Sequence, residues 1–247
     1  MKDKNMALDQ DPFHHHPELR SAIADPQQSF FRTFTTAVLA EKMRELGVSE
    51  WWYSDETREA MRLEALAGHR NKDLWVFAYG SLMWDPAFEF AEVRRAYIPN
   101  YARRFILKDI YGARGNAEIP GLMAALDKGS GCDGLLFRIS LDQVDKETEV
   151  LWRREQVGPA YTPVFVEARV DERPVEALTF VADYNAELID HTISREEQIR
   201  FLATGTGFAG SSMDYLRNIH KKFTILNVHD EEVDSLLRDA EAFLTSQ

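Results

Sequence analysis

The sequence predicts an α+β fold, with a strand-rich middle held between helical segments at both ends. Three observations predict it. Residues 29–46 and 55–67 carry apolar side chains at helical spacing. Between residues 74 and 183 the apolar residues fall in short runs separated by clusters of turn formers, the pattern of strands and loops. From residue 194 onward the helical period returns. The expected division is an N-terminal helical extension over 1–72 and a main domain over 73–247.

Composition narrows the class. A chain of 247 residues, 45% hydrophobic, can bury a sizeable core and is not globally disordered. Acidic residues outnumber basic ones, 41 to 29, giving a formal net charge of −12. A general binder of nucleic acid or anionic membrane would carry the opposite sign, so the partner expected is a small molecule, with no nucleic acid and no membrane. Cys132 is the only cysteine, which rules out an intrachain disulfide and fits a reducing compartment. No apolar run approaches membrane-spanning length, and the start, MKDKNMALDQDPF, has no apolar core of a secretory signal. A soluble, cytoplasmic protein is expected.

Residues 1–17 are polar and expected to be disordered or loosely attached. Within them, His14-His15-His16 has no carboxylate or cysteine nearby at ligand spacing, so no metal site is expected. One helix is expected over 29–46, from Phe31, Phe34, Val38, Leu39, Met43 and Leu46, with Gly47 as its stop. Trp51, Trp52 and Tyr53 then anchor the extension to the main body. A second helix over 55–67 starts at a Ser-Asp-Glu cap and ends at Gly68.

The run 74–78, LWVFA, has no helical stagger and reads as a buried strand. It stops at Tyr79-Gly80-Ser81. Gly80 lets the chain turn where a Cβ would obstruct it, and N–H groups freed at such a strand end can hold a ligand. By itself the motif is also an ordinary tight turn. Residues 93–99 and 101–107 read as strands. Their Arg94, Arg95, Arg103 and Arg104 mostly lie on solvated faces, with one or two free to meet a substrate carboxylate. Residues 109–121, DIYGARGNAEIPG, are rich in turn formers and expected as a loop. Strands follow at 122–126 and 134–139.

A helix is expected over 140–155, with Ser140 as N-cap and Gly158-Pro159 beyond its end. Its last turn holds Trp152, Arg153, Arg154 and Glu155. A carboxylate at a helix C-terminus opposes the macrodipole, so Glu155 is out of pattern. A salt bridge to a neighbouring arginine and a role in proton transfer both account for it. Strands at 161–170 and 174–183 precede a helix over 194–202 that opens with a capping box, Ser194 and Glu197. The glycine run 205–210, GTGFAG, lies between two helices and not after a strand, which excludes a dinucleotide loop. Amphipathic helices over 212–226 and 230–244 pack on the sheet.

Three separated stretches, VFAYGSLMW, LLWRREQVGPAYTP and SSMDYLRN, in this order resemble the ChaC family of glutathione-specific γ-glutamylcyclotransferases. The resemblance covers roughly residues 74–244. It implies a γ-glutamylcyclotransferase-like (BtrG-like) fold: a curved, mixed, barrel-like sheet with flanking helices, here with an N-terminal helical arm. It also implies a substrate loop at Val76, Phe77, Ala78, Tyr79, Gly80, Ser81 and Leu82, a catalytic glutamate at Glu155, and a pocket-lining tyrosine at Tyr215. The chain departs from the family at Ala78, where many members have Gly, and at Leu122, where many have Arg. Arg114 could take over the role of that arginine.

The reaction so implied is an intramolecular aminolysis, in which the α-amine of a γ-glutamyl group attacks its own γ-carbonyl and releases 5-oxoproline. It needs no metal, cofactor or protein nucleophile, so neither Cys132 nor Ser81 is required as one. Other γ-glutamyl peptides or amines as substrates, and a non-catalytic glutathione-binding regulatory module, are the alternatives.

Overall fold

The computed structural model describes residues 11–246. Five strands close a barrel. β1 (Leu74–Ala78) runs antiparallel to β5 (Cys132–Ile139), from Leu74 opposite Ile139 to Ala78 opposite Leu135. On its other side β1 runs parallel to β7 (Arg173–Ala182), with Val76 opposite Leu178. β2 (Glu92–Ile98) pairs along β5 and reaches β6 (Tyr161–Val170) at Tyr97 and Arg169, and β6 lies antiparallel along β7. The order β1-β5-β2-β6-β7 therefore returns to β1. The long hairpin of β3 (Tyr101–Tyr111) and β4 (Asn116–Lys128) joins β7 where Leu126 meets Val181. This is the curved, mixed sheet expected.

β1 is covered on both faces, and Val76, Phe77 and Ala78 are fully buried. That is why it reads as an unbroken apolar run and not as an alternation. Helix α4 (Val144–Glu155) follows β5 and is held to the barrel by Trp152, whose indole meets the Phe180 ring edge-on at 5.4 Å. The short turn Leu141–Gln143 precedes α4, and Ser140 makes no side-chain cap there. Helices α5 (Arg195–Thr204), α6 (Ser212–Leu226) and α7 (Glu231–Thr245) complete the chain, and the Ser194–Glu197 capping box is formed. Among the described residues no helix is long and apolar enough to cross a membrane.

Four expectations need correction. The part of 1–17 before residue 11 lies outside the described residues, but residues 11–17 are packed down. Phe13 meets Phe90 edge-on at 5.6 Å, and the Val93 N–H donates to the Pro12 carbonyl at 3.0 Å. The helix expected over 29–46 is two, α1 (Phe30–Thr33) and α2 (Thr36–Glu45). Phe34 and Thr35 are extended, and the Thr35 side chain accepts from the Val38 N–H and starts α2 afresh. Residues 109–121 are mostly strand: β3 and β4 continue to Tyr111 opposite Asn116, leaving only 112–115 as the connection. The register shift between the Asp109–Gly121 and Tyr111–Asn116 pairs leaves residues 117–120 bulged out without strand partners, which is where a proline can sit in a strand. Finally, Arg103 is buried and not on a solvated face.

The N-terminal segments wrap the barrel. Leu19, Ile23 and Leu66, the last just beyond α3 (Asp55–Ala65), are buried in the main core. Trp51 stacks on Tyr111 at 4.7 Å, and the Tyr53 N–H donates to the Val157 carbonyl at 2.9 Å. Arg32 of α1 forks onto the fully buried Glu147 of α4, with Nη2 donating to Oε1 at 3.1 Å, while the Glu89 N–H donates to Oε2 at 2.8 Å. Arg32→Ala removes the fork but leaves Glu147 with the Glu89 N–H and with the Lys146 ammonium, 3.4 Å from Oε1. The expected cost is about 1–3 kcal/mol, that of a buried group losing one charged partner while keeping others. It is read as a lowered denaturant midpoint with an unchanged slope, and an unchanged midpoint would contradict the assignment.

Candidate active site

Two segments far apart in the chain meet at the end of the barrel. β1 delivers Tyr79, Gly80 and a short 3-10 turn, Ser81–Met83. The end of α4 delivers Glu155. Together with Leu82, Ala124, Tyr161, Phe180 and Tyr215 they line one cavity of about 20 Å³, room for roughly one water molecule. Val76, Phe77 and Ala78 are buried in the barrel and do not line it. Their side chains support the loop from behind. Ala124, Tyr161 and Phe180 are lining residues that the sequence reading did not single out. Tyr161 lies in the quoted LLWRREQVGPAYTP stretch, six residues after Glu155, where the first residue of β6 meets the cavity.

Gly80 is required by a close approach. A Cβ at this position would stand 2.6 Å from the Tyr215 hydroxyl oxygen. The peptide that joins Tyr79 to Gly80 is oriented from behind: Arg103, almost wholly buried, donates through Nε to the Tyr79 carbonyl at 2.7 Å and through Nη2 to the Asp133 carbonyl at 2.7 Å. Because the peptide is planar and trans, the Gly80 N–H points away from Arg103. The N–H groups of Ser81 and Leu82 open the 3-10 turn, ahead of its first internal bond, and have no acceptor among the described residues.

Arg154 ties the two segments together. Its buried guanidinium donates through Nε to Glu155 Oε1 at 3.0 Å, through Nη2 to Ser81 Oγ at 2.8 Å, and through Nη1 to the Asp85 carbonyl. Its planar fork also lies over the Phe31 ring at 4.6 Å. Glu155 is thus paired with its neighbour and also lines the cavity, with Oε2 unpaired among the described residues. Burial pushes its carboxyl above the ordinary carboxylate range, the Arg154 charge and hydrogen bond pull back, and Asp85 adds to the rise.

The three phenols behave differently. Burial pushes Tyr79 and Tyr161 well above the usual phenol range and Tyr215 up to about 12. All three stay protonated near neutral pH and serve as donors, not bases. Glu155 is then the one lining group that can exchange a proton in that range. Cys132 is buried away from the cavity with its thiol pushed up by burial. The Leu122 side chain is fully buried and outside the cavity lining, and its N–H donates to Ser212 Oγ at 2.9 Å.

At the opposite end of β2 the histidine run finds a carboxylate that its local sequence does not offer. Ligand atoms of His14, His15 and Glu92 lie within 4.8 Å of one another. Both Glu92 oxygens are already engaged, Oε2 by Arg138 at 3.0 Å and Oε1 by Arg94 at 3.4 Å.

Gly80→Ala forces a methyl against the Tyr215 hydroxyl and is expected to destabilise the protein by about 1–3 kcal/mol. Adding Tyr215→Phe removes the clashing oxygen and restores most of the loss. A double-mutant cycle on denaturant midpoints checks it, and additive costs would contradict the contact.

Comparison with known proteins follows this geometry. The glutathione-specific gamma-glutamylcyclotransferase of Escherichia coli (strain K12) is 29% identical over 187 residues, covering 75% of this chain and 80% of that protein. The glutathione-specific gamma-glutamylcyclotransferase of Schizosaccharomyces pombe is 27% identical over 186 residues, covering 68% of this chain and 91% of that one. The crystal structure of a yeast gamma-glutamyl cyclotransferase specific to glutathione has the same fold, with a TM-score of 0.64 at 19% identity, covering 70% of this chain and 97% of the yeast chain. The family described as ChaC-like protein matches residues 74–242, from the first residue of β1 into α7. The chain belongs to the ChaC-like family.

Proposed function

We propose that the protein is a glutathione-specific γ-glutamylcyclotransferase, a lyase that releases 5-oxoproline and Cys-Gly, and that it works in the cytoplasm. One observation carries the reading: Glu155, the one carboxylate among the lining residues, shares a cavity with a turn whose Ser81 and Leu82 N–H groups have no acceptor among the described residues.

In this reaction the substrate α-ammonium loses a proton to Glu155, and the free amine attacks the γ-carbonyl of its own glutamyl group. A carbon–nitrogen bond forms and closes the ring. The amide bond to the leaving nitrogen breaks as Glu155 returns the proton to that nitrogen, and the second proton shed by the new ring nitrogen passes by way of Glu155 to the released amine, so that the carboxylate ends as it began. Nucleophile and electrophile belong to one molecule, so the protein needs only to fold the substrate and move the proton. Charge that builds on the carbonyl oxygen meets N–H donors of the Gly80-Ser81-Leu82 turn, each worth roughly 3–4 kcal/mol when well aimed. Arg154 acts as a positioning residue, holding Glu155 against Ser81. The cavity as it stands has room for little more than a water molecule, so a γ-glutamyl group enters only as the lining side chains yield.

Glu155→Gln keeps the shape and the bond from Arg154 but cannot take a proton. It is expected to lower kcat by about 10²–10⁴-fold with little change in glutathione binding, measured as 5-oxoproline by mass spectrometry. Wild-type turnover by this variant would remove Glu155 from the mechanism. Activity needs the ionised carboxyl, so it is lost as pH falls through the raised Glu155 pKa. Arg154→Met removes the charge that opposes that rise. The acid limb of its kcat/KM profile is expected at higher pH than in the wild type, and an unmoved limb would contradict the assignment.

A further inference from the structure

The glycine run 205–210 and the short loop 112–115 have no part in the proton chemistry, yet they pack against each other with unusual closeness. A Cβ on Gly205 would meet Gly121 Cα at 2.5 Å and the Arg114 carbonyl oxygen at 2.9 Å. One on Gly207 would meet the Gly112 carbonyl oxygen at 2.2 Å, and one on Gly115 would meet the Gly121 nitrogen at 1.8 Å. Backbone lies directly on backbone at this crossing. The small hairpin of β8 (Thr206–Gly207) and β9 (Gly210–Ser211) adds hydrogen bonds from the Phe208 N–H to the Gly112 carbonyl at 3.0 Å and from the Ala209 N–H to the Ala113 carbonyl at 2.8 Å. From below, the buried Asp109 carboxylate accepts from the N–H groups of Tyr111, at 3.0 Å, Gly115, at 3.0 Å, and Arg114.

These contacts fix the backbone that carries Arg114. The Arg114 guanidinium lies over the Tyr215 ring, 5.0 Å from its centre, and Nη1 donates to the Ser211 carbonyl at 2.9 Å. Tyr215 is the residue whose hydroxyl stands over Gly80 in the cavity, so Arg114 sits one side chain outward from the reacting centre. It is half-buried, and among the described residues no carboxylate forms an ion pair with it. The other buried arginines of the neighbourhood differ in this respect: Arg103 pairs with Asp230 and Arg154 with Glu155. A guanidinium taken partly out of water with no carboxylate in direct contact is costly unless a ligand supplies one; burial holds its pKa down, and the nearby Tyr215, Asp109 and Asp214 pull it only partly back. The fork presents further N–H donors at spacings that match a carboxylate.

We propose that Arg114, held by the glycine crossing over Tyr215, binds the terminal carboxylate of the substrate's leaving group and so selects a peptide over a γ-glutamyl amine. This rests on the cyclotransferase reading above. The γ-glutamyl end lies inward beside Glu155, and the carboxylate at the far end of the substrate meets Arg114 at the cavity mouth. Leu122, where many family members have Arg, is buried away from the cavity and cannot supply this contact.

The test compares glutathione with its C-terminal amide, in which the distal carboxylate is neutral. The wild type is expected to use the amide with kcat/KM reduced about 10–100-fold, the worth of a charge-assisted pair, chiefly through KM. Arg114→Gln is expected to lose a similar factor on glutathione and almost nothing on the amide, so that its preference for the acid disappears. Arg114→Lys retains part of the preference. Equal use of both substrates by the wild type would overturn the proposal without any variant and would leave the cyclotransferase reading standing. So would an Arg114→Gln enzyme that keeps the full preference. Failure of the wild type to form 5-oxoproline from either substrate would overturn the underlying reading, and this proposal with it.

Discussion

The site depends on one buried guanidinium. Arg154 reaches from the last turn of α4 to the turn after β1, and its three hydrogen-bonded groups belong to Glu155, Ser81 and the Asp85 backbone. Ser81 and Asp85 lie some seventy residues before Glu155 in sequence, and Arg154 joins them to it. A planar fork with fixed donor directions sets both the distance and the mutual orientation of the two halves, which a flexible ammonium would not do. The same contact limits how far burial can raise the Glu155 pKa. The neighbour that fixes the position of the carboxyl is therefore also the one that pulls its acidity back against burial and Asp85.

The barrel serves this arrangement. β1 is flanked by β5 and β7 and covered on both faces, so the strand end that carries Tyr79 and Gly80 cannot shift without disturbing the core. Arg103 holds the Tyr79 carbonyl from behind, and Trp152 anchors α4 on Phe180 one turn before Glu155. Burial then separates the titrating groups. The phenols are driven out of the working range, whereas the carboxyl, raised but paired, stays within reach of it. The N-terminal segments close the outside, with Trp51 against Tyr111 and Tyr53 hydrogen-bonded to Val157, two residues after Glu155.

Much of this was legible in the amino-acid order. The unbroken apolar run of β1, the anomalous glutamate at the end of α4 and the capping box of α5 each have a local cause, and local causes leave local signatures. What was not legible arises from contacts between distant residues. The Gly- and Pro-rich stretch around Arg114 looks like a loop because its turn formers are visible, while the Asp109 carboxylate and the glycine crossing that hold it down are not. Thr35 splits the first helix with a side-chain cap that competes with continuation, a balance that apolar spacing does not register. Arg103 appears as one of four strand arginines, and only the closed barrel reveals that it is buried. Residues 11–17 look free because the partners that hold them, Phe90 and Val93, come some eighty residues later.

The central claim is that the Glu155 carboxyl carries the proton in the reaction. It is tested most directly by following that carboxyl itself, through carbon-13 NMR of glutamate-labelled protein across pH, with Glu155→Gln used to assign the resonance. The account predicts that Glu155 titrates above the ordinary carboxylate range and that the acid limb of kcat/KM on glutathione falls at the same pH. A Glu155 that titrates like an exposed carboxylate, or an acid limb that stays in place when Glu155 is Gln, would contradict it.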